Sequence, residues 1–270
     1  MGLNVADYHA DRAALDAFAR ASCANRAFFL DGSPGMGKSY ILEWLCGVLP
    51  AAHRVALVEL DRPQGGQSPQ LILCEITDQV GRDRFPRFLQ VEHREAEGRR
   101  SRNAVAIVRD VHIEGDGNFV TASTAETPRD KELVTRDLTN ALLDDLRQMS
   151  VPAGHTVVVA LDGYHDLDEA IHRWLVAVLV PGLARVDHVR VIVSGRTALQ
   201  PNAKRRIGTT HTSTLGGVTE VEEWERVLDA EGRFAPAEHT GSYLKAMIDY
   251  FEGAPNDIMR WMMSLPRKEG

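Results

Sequence analysis

Ten residues constrain this chain more than any other stretch: Leu30-Asp31-Gly32-Ser33-Pro34-Gly35-Met36-Gly37-Lys38-Ser39. They fit the pattern G-x-x-x-x-G-K-[ST], with Gly32, Gly37, Lys38 and Ser39 at its fixed places. Arg26 to Asp31 (RAFFLD), just before the turn, is short and apolar and reads as a buried strand. After the turn, Ile41, Leu45 and Val48 recur at helical spacing, with Trp44 beside them. A glycine-rich turn between a strand and a helix is where this pattern cradles phosphate. Glycines let backbone N–H groups turn inward, and the helix presents its positive end. Lys38 then offers a charge to the β- and γ-phosphates, and Ser39 a hydroxyl to the Mg²⁺ that bridges them. A chain built around such a unit is α/β.

The periodicities to either side agree. They predict a helix over 10–22, with Ala14, Leu15, Phe18 and Ala21 on one face. A second strand is expected from His53 to Leu60 and a helix over 70–80. Thr127-Pro128 opens a long helix carrying Leu133, Leu138, Leu142, Leu143 and Leu146. Further buried strands run from His155 to Asp162 and from Val189 to Arg196. Alternating strands and helices imply a mostly parallel sheet covered by helices on both faces. Residues 92–127 read as an insertion with hairpin chemistry. There Val105, Ile107, Val111 and Ile113 alternate ahead of Gly115-Asp116-Gly117-Asn118.

From about 219 the pattern is helical alone. Val221, Trp224 and Leu228 share one face, and Tyr243, Leu244, Met247, Ile248 and Phe251 another; Ile258, Trp261, Met262 and Leu265 follow Pro255. The expected organisation is a P-loop core over 1–217, bearing the insertion, and a small helical lid over 218–270.

Composition narrows the partners. A net charge of −7 argues against a basic face for non-specific nucleic-acid binding. Arg94, Arg99, Arg100 and Arg102 are interleaved with Glu92, Glu95 and Glu97, which reads as a solvated charged face; Lys204-Arg205-Arg206 is the other basic run. Cys23, Cys46 and Cys74 are odd in number and lack metal spacing. With no apolar N-terminal signal segment and no membrane-length run, they read as reduced thiols in a cytoplasmic protein.

Three further elements carry chemistry. Asp162 ends the apolar run VVVALD, where a carboxylate can hold the Mg²⁺ hydration shell or simply cap a turn with Gly163. Ser194-Gly195-Arg196-Thr197 follows another buried strand, so Arg196 is either a phosphate donor on the same sheet edge or an ordinary surface arginine. In FEGAPNDIMRW, Gly253 ends one helix and Pro255 opens the next, which alone is helix punctuation.

The order of the four elements resembles the STAND class of P-loop ATPases, the AAA+-related switches that include the NACHT and NB-ARC groups. The resemblance runs from the first helix to about residue 265 and leaves out the insertion. It implies that Gly32, Ser33, Pro34, Gly35, Met36, Gly37, Lys38, Ser39 and Tyr40 hold ATP or ADP, with Ser39 and Asp162 on Mg²⁺. It further implies that Arg196 senses the γ-phosphate and that Pro255 packs near the base. An N-terminal Gly-Arg element also lies near the base in the class; here Asp11-Arg12 stands in that place without the glycine, making Arg12 the candidate. ATP is expected over GTP, since no Asn-Lys-x-Asp run appears. NACHT-like members read Asp-Gly-x-Asp-Glu where this chain reads Asp162-Gly163-Tyr164-His165-Asp166. His165 replaces one acid and Asp166 is a methylene shorter than the other, so water activation is expected to be weak.

The expectation is therefore a switch that couples ATP or ADP to a protein partner or to self-assembly, hydrolysing slowly through Lys38, Asp162, His165, Asp166 and Arg196. Bacterial members often serve in defence or regulated signalling. The alternative is an AAA+-type motor or loader acting on DNA or protein. It would favour an acidic residue directly after Asp162, where Gly163 stands. A small-molecule kinase would need an acceptor pocket and lid arginines that the sequence does not display, and a scaffold that never hydrolyses stays open. Members of the class usually continue past the lid into a winged-helix domain. The sequence ends at Gly270, as a stand-alone switch, a subunit or an excised domain would.

Overall fold

Successive strand residues point to opposite faces, so a sheet covered on both sides needs apolar residues at nearly every position of its central strands. That is the case here: β1 (Ala27–Asp31), β3 (Val157–Asp162) and β4 (Val189–Gly195) are buried throughout. With β2 (Arg54–Glu59) and β5 (Thr210–Thr214) they form one five-stranded sheet, order β2-β3-β4-β1-β5, every pair parallel. The structure, a computed structural model, describes residues 8–20, 22–60, 68–110, 128–196, 207–231, 233 and 240–266.

Ten described helices are α1 (His9–Ala19), α2 (Lys38–Val48), α3 (Pro69–Val80), α4 (Pro86–Asp110), α5 (Pro128–Gln148), α6 (Glu169–Trp174), α7 (Val180–Ala184), α8 (Val221–Ala230), α9 (Thr240–Tyr250) and α10 (Pro255–Met263). A π-helical turn, Leu175–Leu179, joins α6 to α7. One sheet face presents Phe29, Val157, Val159, Leu161, Val191 and Val193 to a core closed by α3 to α7. The other presents Phe28, Leu30, Val158, Ala160 and Ile192 to α1, α2 and α8 to α10. Each fully buried side chain of this size contributes roughly 1.5–3 kcal/mol.

Helix ends are set by local chemistry. Ser68 Oγ accepts from Leu71 N (3.3 Å) with Pro69 in the first position of α3, and Asp168 Oδ1 accepts from Ile171 N (2.9 Å) at α6. Buried Asp145 of α5 reaches across to accept from Phe88 N (2.9 Å) near the start of α4.

One expectation changes. Residues 92–110 are not a hairpin but the continuation of α4, a 25-residue helix; the remainder of the proposed hairpin, 111–127, lies outside the described residues. Buried Phe88 and partly buried Val91 anchor the helix start, and His93 and Glu97 sit one turn apart (3.5 Å). Once started, a helix adds one hydrogen bond per residue, so the Val105/Ile107 alternation does not decide the backbone. Of the leucines carried by the expected long helix, Leu138, Leu142, Leu143 and Leu146 are buried, while Leu133 is 41% exposed. Strand β5 was not foreseen. Among the described residues no helix is long and apolar enough to cross a membrane.

Candidate functional site

All five strands run the same way, so their carboxyl ends share one edge. Register sets Glu59 beside Asp162 across β2 and β3, and Asp31 between Gly195 of β4 and Thr214 of β5. The glycine-rich loop after β1 lies at this edge and runs into α2. Gly37 has φ 74 and Gly35 φ 83, conformations that L-residues adopt only with strain, and Gly37 leads directly into Lys38 at the start of α2.

Strand β4 lies between β1 and β3. Adjacent strands are about 4.8 Å apart, so Arg196, leaving β4, emerges between the loop that follows β1 and Asp162 at the end of β3. Lys38 registers this arrangement. Burial lowers the pKa of its amine, Asp162 pulls it upward, Arg196 lowers it and Asp31 raises it. The ammonium donates to Gly32 O (2.7 Å) and Ser33 O (2.8 Å), folded back onto its own loop. Asp162 is buried, and Ser194 Oγ donates to its Oδ1.

The helical segment meets the loop from the other side. Asn256 N, in the first turn of α10, donates to Gly35 O (3.2 Å), and Pro255, buried, occupies the first position of that helix. Val218 N donates to Gly253 O (2.9 Å), and a Cβ on Gly217 would stand 2.1 Å from Glu252 O. Two glycines thus let the backbone after β5 touch the α9–α10 turn directly.

The other expected residues are placed as follows. Ser33, Pro34 and Ser39 are exposed, and Met36 packs against the core on the α1–α2 side. His165 is partly buried on a 3₁₀ turn, Tyr164–Asp166, directly after Gly163; the side chain of Asp166 and all of Thr197 lie outside the described residues. Arg12 turns toward α2: it donates to Tyr40 Oη (3.2 Å) and lies over the Trp44 ring, 4.9 Å from its centroid. It helps line an open cavity of about 430 Å³ with His9, Ala13, Asp16, Trp44 and Val48.

Tyr8 is the residue that sequence reasoning missed. Buried just ahead of α1, its hydroxyl lies 2.8 Å from Met36 O and 3.2 Å from Gly216 O, and its ring packs 3.4 Å from where a Gly37 Cβ would be. Burial, with Asp11 adding to it, raises its pKa well above the usual phenol value. Only its place one residue before an amphipathic helix could have drawn notice.

No family model matches the chain, and no curated protein sequence matches it. Solved structures do. A Walker-type ATPase of Pyrococcus abyssi matches over 94% of this chain with a TM-score of 0.52 at 13% identity. Cdc6p from Pyrobaculum aerophilum matches over 86% (TM-score 0.47, 13% identity), and the Drosophila ORC bound to DNA over 90% (TM-score 0.46, 13% identity). The chain spans 66%, 52% and 55% of those three chains respectively. The α/β fold, a parallel five-stranded sheet between helices, is the P-loop NTPase fold.

Proposed function

We propose that this chain is an ATP-binding molecular switch of the STAND type, in which slow hydrolysis couples nucleotide state to signalling or assembly. The observation that carries the reading is β4 lying between β1 and β3, which brings the charges of Arg196 and Asp162 to bear on Lys38. In this reading the triphosphate settles on the loop Gly32 to Ser39 and replaces Gly32 O and Ser33 O as the partner of Lys38 Nζ. The N-terminal amides of α2 face the phosphate oxygens.

The donor set suits Mg²⁺. Ser39 and Asp162 offer hard oxygens, and Ser194 orients the carboxylate. A small ion that keeps several waters needs only one or two such protein ligands beside the phosphates. Bound there, it would supply charge neutralisation across the β- and γ-oxygens.

Arg196 then meets the γ-phosphate, present in ATP and absent in ADP. A lid over 218–270 is biased through the Asn256–Gly35 contact, because a ligand shifts a two-state element only through differential contacts. Pro255 and Tyr8 border the loop where the base side is proposed, and Arg12 supports Tyr40 from α1. His165 and Asp166 supply what water activation there is. A protein partner or a second copy of the chain would read the lid position, in the cytoplasm and without a membrane; a role in bacterial defence or regulation fits such a device.

The test is steady-state turnover with Mg²⁺ and ATP. The wild-type rate is expected far below the roughly 10 s⁻¹ typical of enzymes. His165→Glu is expected to leave ATP affinity similar and raise hydrolysis, and Asp166→Asn to remove what remains. Fast turnover indifferent to both substitutions would put an AAA+-type motor or loader ahead of the switch.

A further inference from the structure

Gly195 is the last residue of β4, and the ring of Tyr164 fills the space where its side chain would begin. A Cβ on Gly195 would stand 2.0 Å from Tyr164 Cε1, 2.4 Å from Cδ1 and 2.9 Å from Cζ. No L-residue tolerates such a contact, and the ring, 4% exposed, has little room to yield. Tyr164 also stacks on His172 of α6, with centroids 5.8 Å apart and planes at 27°. Close by, Gly163 N donates to Ser194 O (3.2 Å) and Ser194 Oγ to Asp162 Oδ1. The turn after Asp162 and the end of β4 are therefore joined at three points: a backbone bond, a side-chain bond and the seated ring.

We infer that Tyr164 is a positioning residue for Arg196: seated on Gly195, its ring fixes how the chain leaves β4 and so the place of Arg196 on the sheet edge that carries Lys38 and Asp162. The inference rests on the proposed role of Arg196 at the γ-phosphate. Tyr164 touches no phosphate and acts through Gly195. It also begins the turn that carries His165 and Asp166. One ring thus ties the groups proposed to act on water to the group proposed to sense the γ-phosphate.

Four variants test this: Tyr164→Phe, Tyr164→Ala, Gly195→Ala and the double variant Tyr164→Ala/Gly195→Ala. Each is melted in urea and titrated with ATP and with ADP by calorimetry. Tyr164→Phe keeps the ring and should keep the wild-type preference for ATP over ADP. Tyr164→Ala should keep its ADP affinity while its preference for ATP over ADP falls about tenfold, the worth of roughly one charge-assisted hydrogen bond. Gly195→Ala should be the least stable variant, and removing the ring should restore it to the level of Tyr164→Ala.

A wild-type ATP-to-ADP ratio in Tyr164→Ala would overturn the inference, because a ring that only fills the core changes stability and not that ratio. Additive losses in the double variant would overturn the contact itself. Should Gly195→Ala fail to fold, the double variant and Tyr164→Ala still decide both points. If the wild-type chain binds neither nucleotide, the proposed function falls and the sensing role with it, while the stability cycle still decides whether the ring is seated on Gly195.

Discussion

The two ends of the same sheet use buried cations in opposite ways. At the amino edge Arg190, 1% exposed, donates to Cys23 O, Asp187 O and Val189 O, each at 3.0 Å. Cys23 lies 167 residues away in the chain, so the guanidinium staples the segment before β1 to the start of β4. At the carboxyl edge Lys38 also donates to backbone carbonyls, but those of Gly32 and Ser33, six and five residues away in its own loop. Burial lowers the pKa of both groups. The difference lies in what would be lost if the bonds broke. Releasing Arg190 would cut the tie between Cys23 O and the buried start of β4. Releasing Lys38 frees carbonyls of a half-exposed loop and an ammonium for an incoming anion.

Arg190→Met breaks that contrast with the largest expected effect. Hydrogen bonds to a charged group contribute about 1.5–3 kcal/mol each, so losing the ties to Cys23 O and Val189 O should cost about 3 kcal/mol or more in a urea melt. A loss under about 1 kcal/mol would mean that the amino edge is not stapled. Lys38→Ala should do the reverse. The carbonyl partners of Lys38 lie in its own loop, so stability in the melt should fall by about 1–1.5 kcal/mol, less than for Arg190→Met, while calorimetry shows Mg²⁺-dependent ATP binding abolished. Unchanged ATP affinity would remove the loop from the proposed site.

Arg196→Ala sharpens the carboxyl edge further. It should weaken ATP binding more than ADP binding, by about 1.5–3 kcal/mol for a desolvated charge-assisted contact. Equal losses would make Arg196 a local structural group. Tyr8→Phe removes one hydroxyl between the loop and the hinge after β5. About 0.5–1.5 kcal/mol is expected, read as faster hydrogen exchange at Val218, whose amide donates to Gly253 O. Unchanged exchange would leave Tyr8 as packing alone.

The smallest effect belongs to the amino edge. His53, 9% exposed, has its pKa lowered from 6.5, first by burial and then by the neighbouring His155 and Arg20, with Asp16 opposing. Its Nδ1 lies 3.0 Å from Thr156 Oγ1 and accepts from Thr156 N at 3.3 Å. A folded-state pKa below the unfolded one means that the unfolded chain binds more protons. Stability is therefore complete above about 6.5 and is lost as pH falls through the folded value. His53→Gln should flatten the decline in melting temperature between about pH 7 and pH 5. An unchanged slope would assign the decline to other groups.

The loop from Gly32 to Ser39, the strands around it and Asp162 were legible because each is written in consecutive residues. Glycine at positive φ, unbroken apolar runs and helical spacing are local signals, and burial on both faces forces β1, β3 and β4 to be apolar throughout. Strand β5 was not legible: Thr-His-Thr-Ser-Thr at the sheet edge is mostly exposed and is held by its pairing with β1, to which its composition gives no clue. The reading of 92–110 went wrong because alternation over a few residues looks like a strand, whereas propagation from an anchored first turn decides the helix.

What only the tertiary structure decided is who stands beside whom. The chain order of β1, β3 and β4 does not say that the last lies between the other two, yet that insertion brings Arg196 to the edge between the loop after β1 and the end of β3. Nor does it say that Tyr8 reaches Gly216 across 208 residues, or that the Tyr164 ring rests on Gly195. Such contacts arise when non-adjacent segments close on one another, and the residues that make them carry no local pattern. The glycine-rich loop was readable in this chain because consecutive residues set its backbone geometry; the contacts of Tyr8 and Tyr164 were not, because packing between distant segments supplies them.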